Sequence, residues 1–317
     1  MSDVAGPTTE LGWSNVGLGF SFVLLNVFVS FYAGLGVERS LFIAAVRCVV
    51  QLGFVAILLQ RVFATKNPWA VAGIALVLNL LGTLEVVANK SKRRHDYMFQ
   101  SVLIGMLSST IPISIIGTRF AMSVQPFWDP IQYVPILGML CGSTISGIVI
   151  CVNYLLREVH ENRDKIEMYL AFGASRMEAC RPIARDALIQ ALTPVINQMS
   201  VLGIIAIPGM MTGAILGGSS VQQAARLQMI IMFMISASTA LASMFTIVAV
   251  ISVAVDSDHR VRSDRITERQ FGLWRARDRL RDEIVALFKR GVSRVSGRRR
   301  RERQVELSAL LPSPGFS

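Results

Sequence analysis

Seven apolar stretches, each about as long as a helix that crosses a bilayer, set the terms for this chain. Crossing the hydrocarbon core takes about 20 apolar residues. Stretches of that order run over 12–34, 41–63, 68–88, 98–122, 131–156, 192–216 and 227–255. The second is interrupted by Arg47 and Gln51, and the fourth and sixth carry polar or Gly/Pro breaks. Of the 317 residues 52% are apolar and only 17% charged, and the mean hydropathy is +0.51. One or two soluble cores cannot hide that much apolar surface. The composition excludes a soluble enzyme, a disordered regulator and a disulfide scaffold. The expected fold is an all-α polytopic membrane protein of about seven transmembrane helices, with a cytosolic helical segment between spans five and six.

Charge divides the chain and orients it. The net charge is +11, of which residues 256–317 carry +7. The expected organisation is a short outer N-terminus (1–11), a membrane body (12–255) and a basic cytosolic tail (256–317). Short cytosolic loops carry the excess of Lys and Arg. The basic loop 89–96, the Arg-rich segment 157–191 and the tail all fall on one side if there are seven spans. That side is read as the cytosol, with the N-terminus outside and Arg61 and Lys66 dissenting. Beside a membrane body, the basic tail reads as a segment on anionic lipid rather than on nucleic acid. Ile266, Leu273, Leu280 and Leu287 suggest one surface-lying helix over 263–291. The four cysteines form no C-x-x-C pair, so neither a zinc site nor a disulfide framework is expected.

Residues 157–191 are too polar to span and too regular for a plain loop. Ile166, Tyr169, Leu170 and Met177 suggest helical faces interrupted at Gly173. Two short helices broken at a glycine would make a rigid cytosolic knob. A surface-lying connector with no partner fits the same periodicity.

Several runs resemble a known family. The run 167–175 (EMYLAFGAS) is similar to the coupling-loop motif of ABC-transporter permeases. More specifically, 47–52 (RCVVQL), 133–143 (YVPILGMLCGS), 167–175 and 202–218 (LGIIAIPGMMTGAILGG) resemble the FetB family. That family includes bacterial iron exporters and the plant aluminium-sensitivity (STAR-like) permeases. The resemblance covers roughly residues 40–255, and the PGMMTG run is its most specific part. Cys141-Gly142-Ser143 departs from it, since the family is expected to carry Gly-Asn there. The resemblance implies a permease subunit that receives a separate nucleotide-binding subunit through Glu167, Leu170, Ala171, Gly173, Ala174 and Ser175. It implies ATP on that partner and no cofactor in this chain. In agreement, the sequence holds no G-x-x-x-x-G-K-S/T phosphate loop.

Charged groups inside a bilayer rarely face lipid. Arg47, Gln51, Glu85, Asn197 and Gln198 are therefore candidates for a translocation path. The alternative for Arg47 is to snorkel to the cytosolic interface, or to pair with Glu85 as a structural bridge. An arginine in the path would favour an anion or a chelated metal over a bare cation. Gly209, Gly213 and Gly217 recur every four residues, as do Gly138, Gly142 and Ser146. Such stripes let backbones approach, either within one bundle, the preferred reading, or in a sliding or homodimer contact. Pro208 suggests a hinge in span six. Fourteen methionines raise a soft-metal reading, yet methionine also fills apolar helices. The metal assignment stays open.

The leading expectation is an ABC-type exporter permease, dimeric, moving an iron-like metal, a metal complex or a sugar nucleotide across a plasma or vacuolar membrane. A seven-span receptor, a non-ABC transporter and a membrane-embedded enzyme are the alternatives.

Overall fold

The computed structural model describes residues 12–65, 67–90, 94–95, 97–255 and 266–267. They belong to one unit, Met1–Thr267. The tail from 268 onward, with most of the amphipathic helix expected over 263–291, lies outside the described residues.

Nine helices follow one another among the described residues. Helices α1 (Trp13–Tyr32) and α2 (Glu38–Thr65) form a hairpin, joined at its turn by Ser30 Oγ donating to Glu38 Oε2 at 3.4 Å. Helix α3 (Pro68–Leu84) starts sharply because Asn67 caps it through Trp69 N–H and Pro68 opens its first turn. It passes into a π-helical stretch, Glu85–Lys90. Helix α4 (Met98–Ile116) likewise ends in a π-helical stretch, Gly117–Ala121. Then come α5 (Pro130–Glu161), α6 (Arg163–Ala171), α7 (Arg176–Val201), α8 (Gly209–Leu216) and α9 (Val221–Ala254). Among the described residues six helices are long and apolar enough to cross a membrane, namely α1 to α5 and α9.

The expected sixth span needs correction. Residues 192–216 are not one helix. Helix α7 already begins at Arg176, is too polar to count as a span by composition, and stops at Val201. A link over 202–208 follows, then the short α8. Gly203 turns at φ +83°, its N–H donates to Ala206 O at 3.0 Å, and Leu202 bridges to Ala206. The link thus satisfies much of its own backbone, the condition for irregular chain at membrane depth. The span count of about seven holds only if α7 and α8 together make the remaining crossing. A second correction concerns the tail. Ile266–Thr267 pair antiparallel with Arg94–His95 as a two-residue ladder, so no helix runs from 263 through those positions.

Helices α5 and α9 form the axis of the bundle. Helices α4 and α7 pack on both, α3 packs on α4 and α5, and α1–α2 lies outside, with α2 reaching α5. One cluster runs the length of α5, from Tyr133 to Val159, and takes in Val86 and Val87. A second joins Ile136 and Leu140 to Val195, Ile231 and Ile235 near the N-terminal end of α5. Between helices, three buried hydroxyls find polar partners, whereas Thr239 Oγ1 and Ser243 Oγ on α9 are buried without one among the described residues. Thr110 Oγ1 lies 2.8 Å from Asn79 Oδ1, Ser114 Oγ 2.9 Å from the Tyr133 hydroxyl, and Thr144 Oγ 3.0 Å from Ser238 Oγ. Such pairs hold helices together where apolar contact alone gives little preference over lipid.

Candidate functional site

The connection between α5 and α7 is a compact knob. Helix α5 ends at Glu161, and Asn162 ties back to Glu158 through Nδ2 at 2.7 Å. Within α6, Arg163 Nε donates to Glu167 Oε1 at 2.8 Å, and this bond raises the guanidinium's pKa. Ile166 and Leu170, one turn apart, are buried in the main core cluster. Leu170, expected to meet a partner, thus points inward and anchors the knob instead. The opposite face exposes Met168, Tyr169 and Phe172, the last 85% exposed.

The break at Gly173 has a defined cause. Gly173 N–H donates to Leu170 O at 3.0 Å and Ala174 N–H to Tyr169 O at 3.1 Å. That is a Schellman stop, whose left-handed position is Gly173 at φ +91°. Two residues on, Ser175 starts α7 with a capping box. Glu178 N–H donates to Ser175 Oγ at 3.4 Å, and Ser175 N–H returns to Glu178 Oε2 at 2.8 Å. The Ser175 hydroxyl also donates to Glu178 Oε2 at 2.7 Å. These bonds, first the side-chain one and then the backbone one, hold the Glu178 carboxyl below its ordinary pKa, with Arg181 adding to the effect. Gly173, Ala174 and Ser175 therefore form one stop-and-start turn. Glu178 and Phe172 are missing from the sequence-derived set. The S-x-x-E spacing from Ser175 was the signal for the first, and a large apolar residue next to a left-handed glycine the signal for the second.

The path candidates do not converge. Arg47 on α2 forms a two-pronged ion pair with Glu85 at the start of the first π-helical stretch. The bridge alternative is the arrangement found. Gln51, one turn further along α2, is exposed. Asn197 and Gln198 do not open a span. They sit in the last turns of α7, about 33 Å along the helix from Ser175 at 1.5 Å per residue. The stretch containing Glu85 packs on α5 within the first cluster, whereas the end of α7 packs near the N-terminal end of α5 within the second. Asn197 continues an exposed polar row on α7 with Asp186, Gln190 and Thr193, while Arg181, Arg185 and Gln198 are exposed on other faces of the helix.

The glycine stripes also differ from expectation. A Cβ on Gly138, Gly142, Gly209 or Gly213 would meet nothing within 4 Å, and one on Gly217 would meet only carbonyls of its own helix. These stripes do not pack inside the bundle of one chain. The close approaches are elsewhere. A Cβ on Gly147 would collide with Thr239 of α9, and one on Gly117 with Met234. One on Gly82 would lie 2.8 Å from Met106 Cε. Pro208 is not inside a helix. It is the N-cap of α8, so it removes no internal helix bond and gives no proline hinge. The four cysteines are free, and among the described residues no group of three His, Cys, Asp or Glu side chains could hold a metal.

The runs that resemble known permeases lie on this frame: RCVVQL around the ion pair, EMYLAFGAS on the knob, PGMMTG at the start of α8. Residues 13–254, nearly the whole helical body, match the Uncharacterised protein family UPF0014. The chain is a UPF0014 protein. UPF0014 membrane protein slr1647 of Synechocystis is 32% identical to it, over 71% of this chain and 87% of its own. UPF0014 membrane protein STAR2 of Oryza sativa is 30% identical, over 71% and 77%. Probable iron export permease protein FetB of Escherichia coli is 25% identical, over 74% and 88%. No solved structure matches the chain. With six helices of spanning length and this membership, the UPF0014 chain is an integral, multi-pass membrane protein.

Proposed function

We propose that this UPF0014 chain is the permease subunit of an ABC-type exporter, itself no enzyme, driven by ATP bound and hydrolysed on a separate nucleotide-binding subunit. The observation that carries the reading is the knob. Its two helices are fixed by the Schellman stop and capping box, its inner face by Ile166 and Leu170, and its outer face offers Met168, Tyr169 and Phe172. Large exposed apolar side chains on a rigid polar-rimmed tip suit a protein partner. The name of the FetB relative, an iron export permease, supports transport of an iron-like metal or metal complex. A sugar nucleotide is the other cargo in view.

The same proposal makes the working unit a homodimer. The exposed polar row on α7, formed by Asp186, Gln190, Thr193 and Asn197, has no place against lipid. A second copy facing it would enclose a polar path, with the open stripes at Gly138, Gly142, Gly209 and Gly213 at the contact. The loops orient the chain with its N-terminus outside and C-terminus in the cytosol, against which stand Arg61 and Lys66, joined by Arg119 and Arg226, on the outer side. The compartment is a plasma or vacuolar membrane, and the basic tail rests on anionic lipid.

The test is co-purification from mild detergent, followed by ATPase and export assays in vesicles. Phe172→Ala should cut partner recovery roughly tenfold, the loss of one anchor residue of an interface. Gly173→Val forces a β-branched residue to φ +91° and should abolish stimulated transport while the protein stays in the membrane. Normal transport in the glycine variant would remove the coupling role from this turn.

A further inference from the structure

A cavity of about 440 Å³ lies where the end of α7, the link 202–208, α8 and the first half of α9 meet. Four methionines line it, Met199, Met211, Met229 and Met232, together with Phe233 and Gln228. Gly203 at φ +83° and Pro208 at the α8 N-cap hold the wall that interrupts the span, so the cavity exists because the helix stops. Behind it stands the second core cluster, with Val195, Ile231 and Ile235. Gln228 Oε1 is buried with no hydrogen-bond partner.

The lining decides the kind of occupant. It holds no Asp, Glu, Lys or Arg, so it offers a charged molecule no counter-charge. Thioethers would suit a soft monovalent metal ion, but the volume argues against a bare ion. It equals roughly fifteen water volumes of about 30 Å³ each, and it falls in the range of about 300–1,000 Å³ typical of small-molecule sites. Methionines are adaptable, polarizable walls for an apolar body. A buried acceptor without a partner is costly, and a ligand that donates to it removes that cost. Gln228 is seven residues from the start of α9, about 10 Å along the helix. A molecule with an apolar body and one polar end fits that depth.

We propose that this cavity binds a neutral, mostly apolar small molecule carrying one hydrogen-bond donor, a hydroxyl or an amide N–H, given to Gln228 Oε1. Its source is either a bilayer lipid with such a donor or a free amphiphile. The inference does not depend on the permease reading.

The experiment uses the full chain in phosphatidylcholine nanodiscs with a photoactivatable dodecanol, and maps labelled peptides by mass spectrometry. Label should concentrate on the segments containing Met199, Met211 and Met229. Dodecanol should compete roughly tenfold better than its methyl ether, the worth of one hydrogen bond. Gln228→Leu should erase that preference. Ala225→Phe, which narrows the cavity, should reduce the label, with an unchanged melting temperature in each variant as the folding control. Competition by octanol added from solution identifies a free amphiphile as the source, and competition only by diacylglycerol placed in the bilayer identifies a lipid. Label spread evenly round the membrane belt, or equal competition by alcohol and ether in the unmutated chain, overturns the proposal.

Discussion

The Arg47 guanidinium holds both oxygens of the Glu85 carboxylate, Nη1 to Oε1 at 3.2 Å and Nη2 to Oε2 at 2.6 Å. This pair fastens the outlying α1–α2 hairpin to the point where α3 changes to π-helical winding. The hairpin has little other purchase, because the span formed by α2 buries none of its residues. Arg47 lies inside the span formed by α2, where an unpaired charge is costly, and Glu85 at the end of α3 supplies its counter-charge.

Removing either partner should therefore destabilise the chain. Arg47→Ala and Glu85→Ala should each cost about 1–3 kcal/mol. The low end is favoured because 46% of the arginine side chain is exposed. The double variant should lose less than the sum of the two, and an Arg47→Glu/Glu85→Arg exchange should recover part of the loss. Detergent unfolding curves measure this, and strict additivity would show that the pair contributes no coupling.

Glycines with similar spacing should respond in opposite ways. Gly147→Ala drives a methyl into Thr239, whose β-branched side chain has few rotamers to yield into. It should cost about 1–3 kcal/mol by overpacking. Gly138→Ala meets nothing within 4 Å and should leave the single chain's stability within about 0.5 kcal/mol. If a second copy packs there, that variant should weaken the dimer by cross-linking yield or light scattering. Equal thermal shifts at the two positions would contradict the close α5–α9 approach.

The capping box gives the knob a pH dependence. The Glu178 carboxyl titrates lower in the folded chain than when unfolded. Its contribution is thus present above the unfolded value, about 4.3 for a free glutamate, and is lost as pH falls through the lower folded value. Hydrogen exchange at the first turn of α7 should accelerate over that acid window. Glu178→Gln should flatten the profile, and an unchanged acid limb in that variant would place its cause elsewhere.

Where α1 to α5 and α9 lie is readable from apolar length alone, since lipid permits few alternatives to a helix. The break at Gly173 was legible for a related reason, a glycine between two runs of helical period. The sixth span was misplaced because counting apolar residues over 192–216 gives equal weight to Ile204 and Ile205, which stand exposed in the link, and to helical neighbours. Nothing in residue order distinguishes Gly147 from Gly142 either. Only the rotation of α5 against α9 decides which glycine meets a neighbour. Asn197 and Gln198 read as the entrance to a span because nothing in residue order marks that the polar helix starting at Arg176 continues to Val201.

That continuity of α7 has a mechanical consequence. One helix carries the Ser175 cap at one end and, about 36 Å away, the wall formed by Met199 at the other. A rod with a fixed cap does not absorb a displacement in a loop. Under the proposed coupling it would act as a lever, carrying a shift of the knob toward the link 202–208, where the backbone is irregular. Pro182 and Pro194 lie along that lever, and any bend at them sets how the stroke is divided between sliding and tilting.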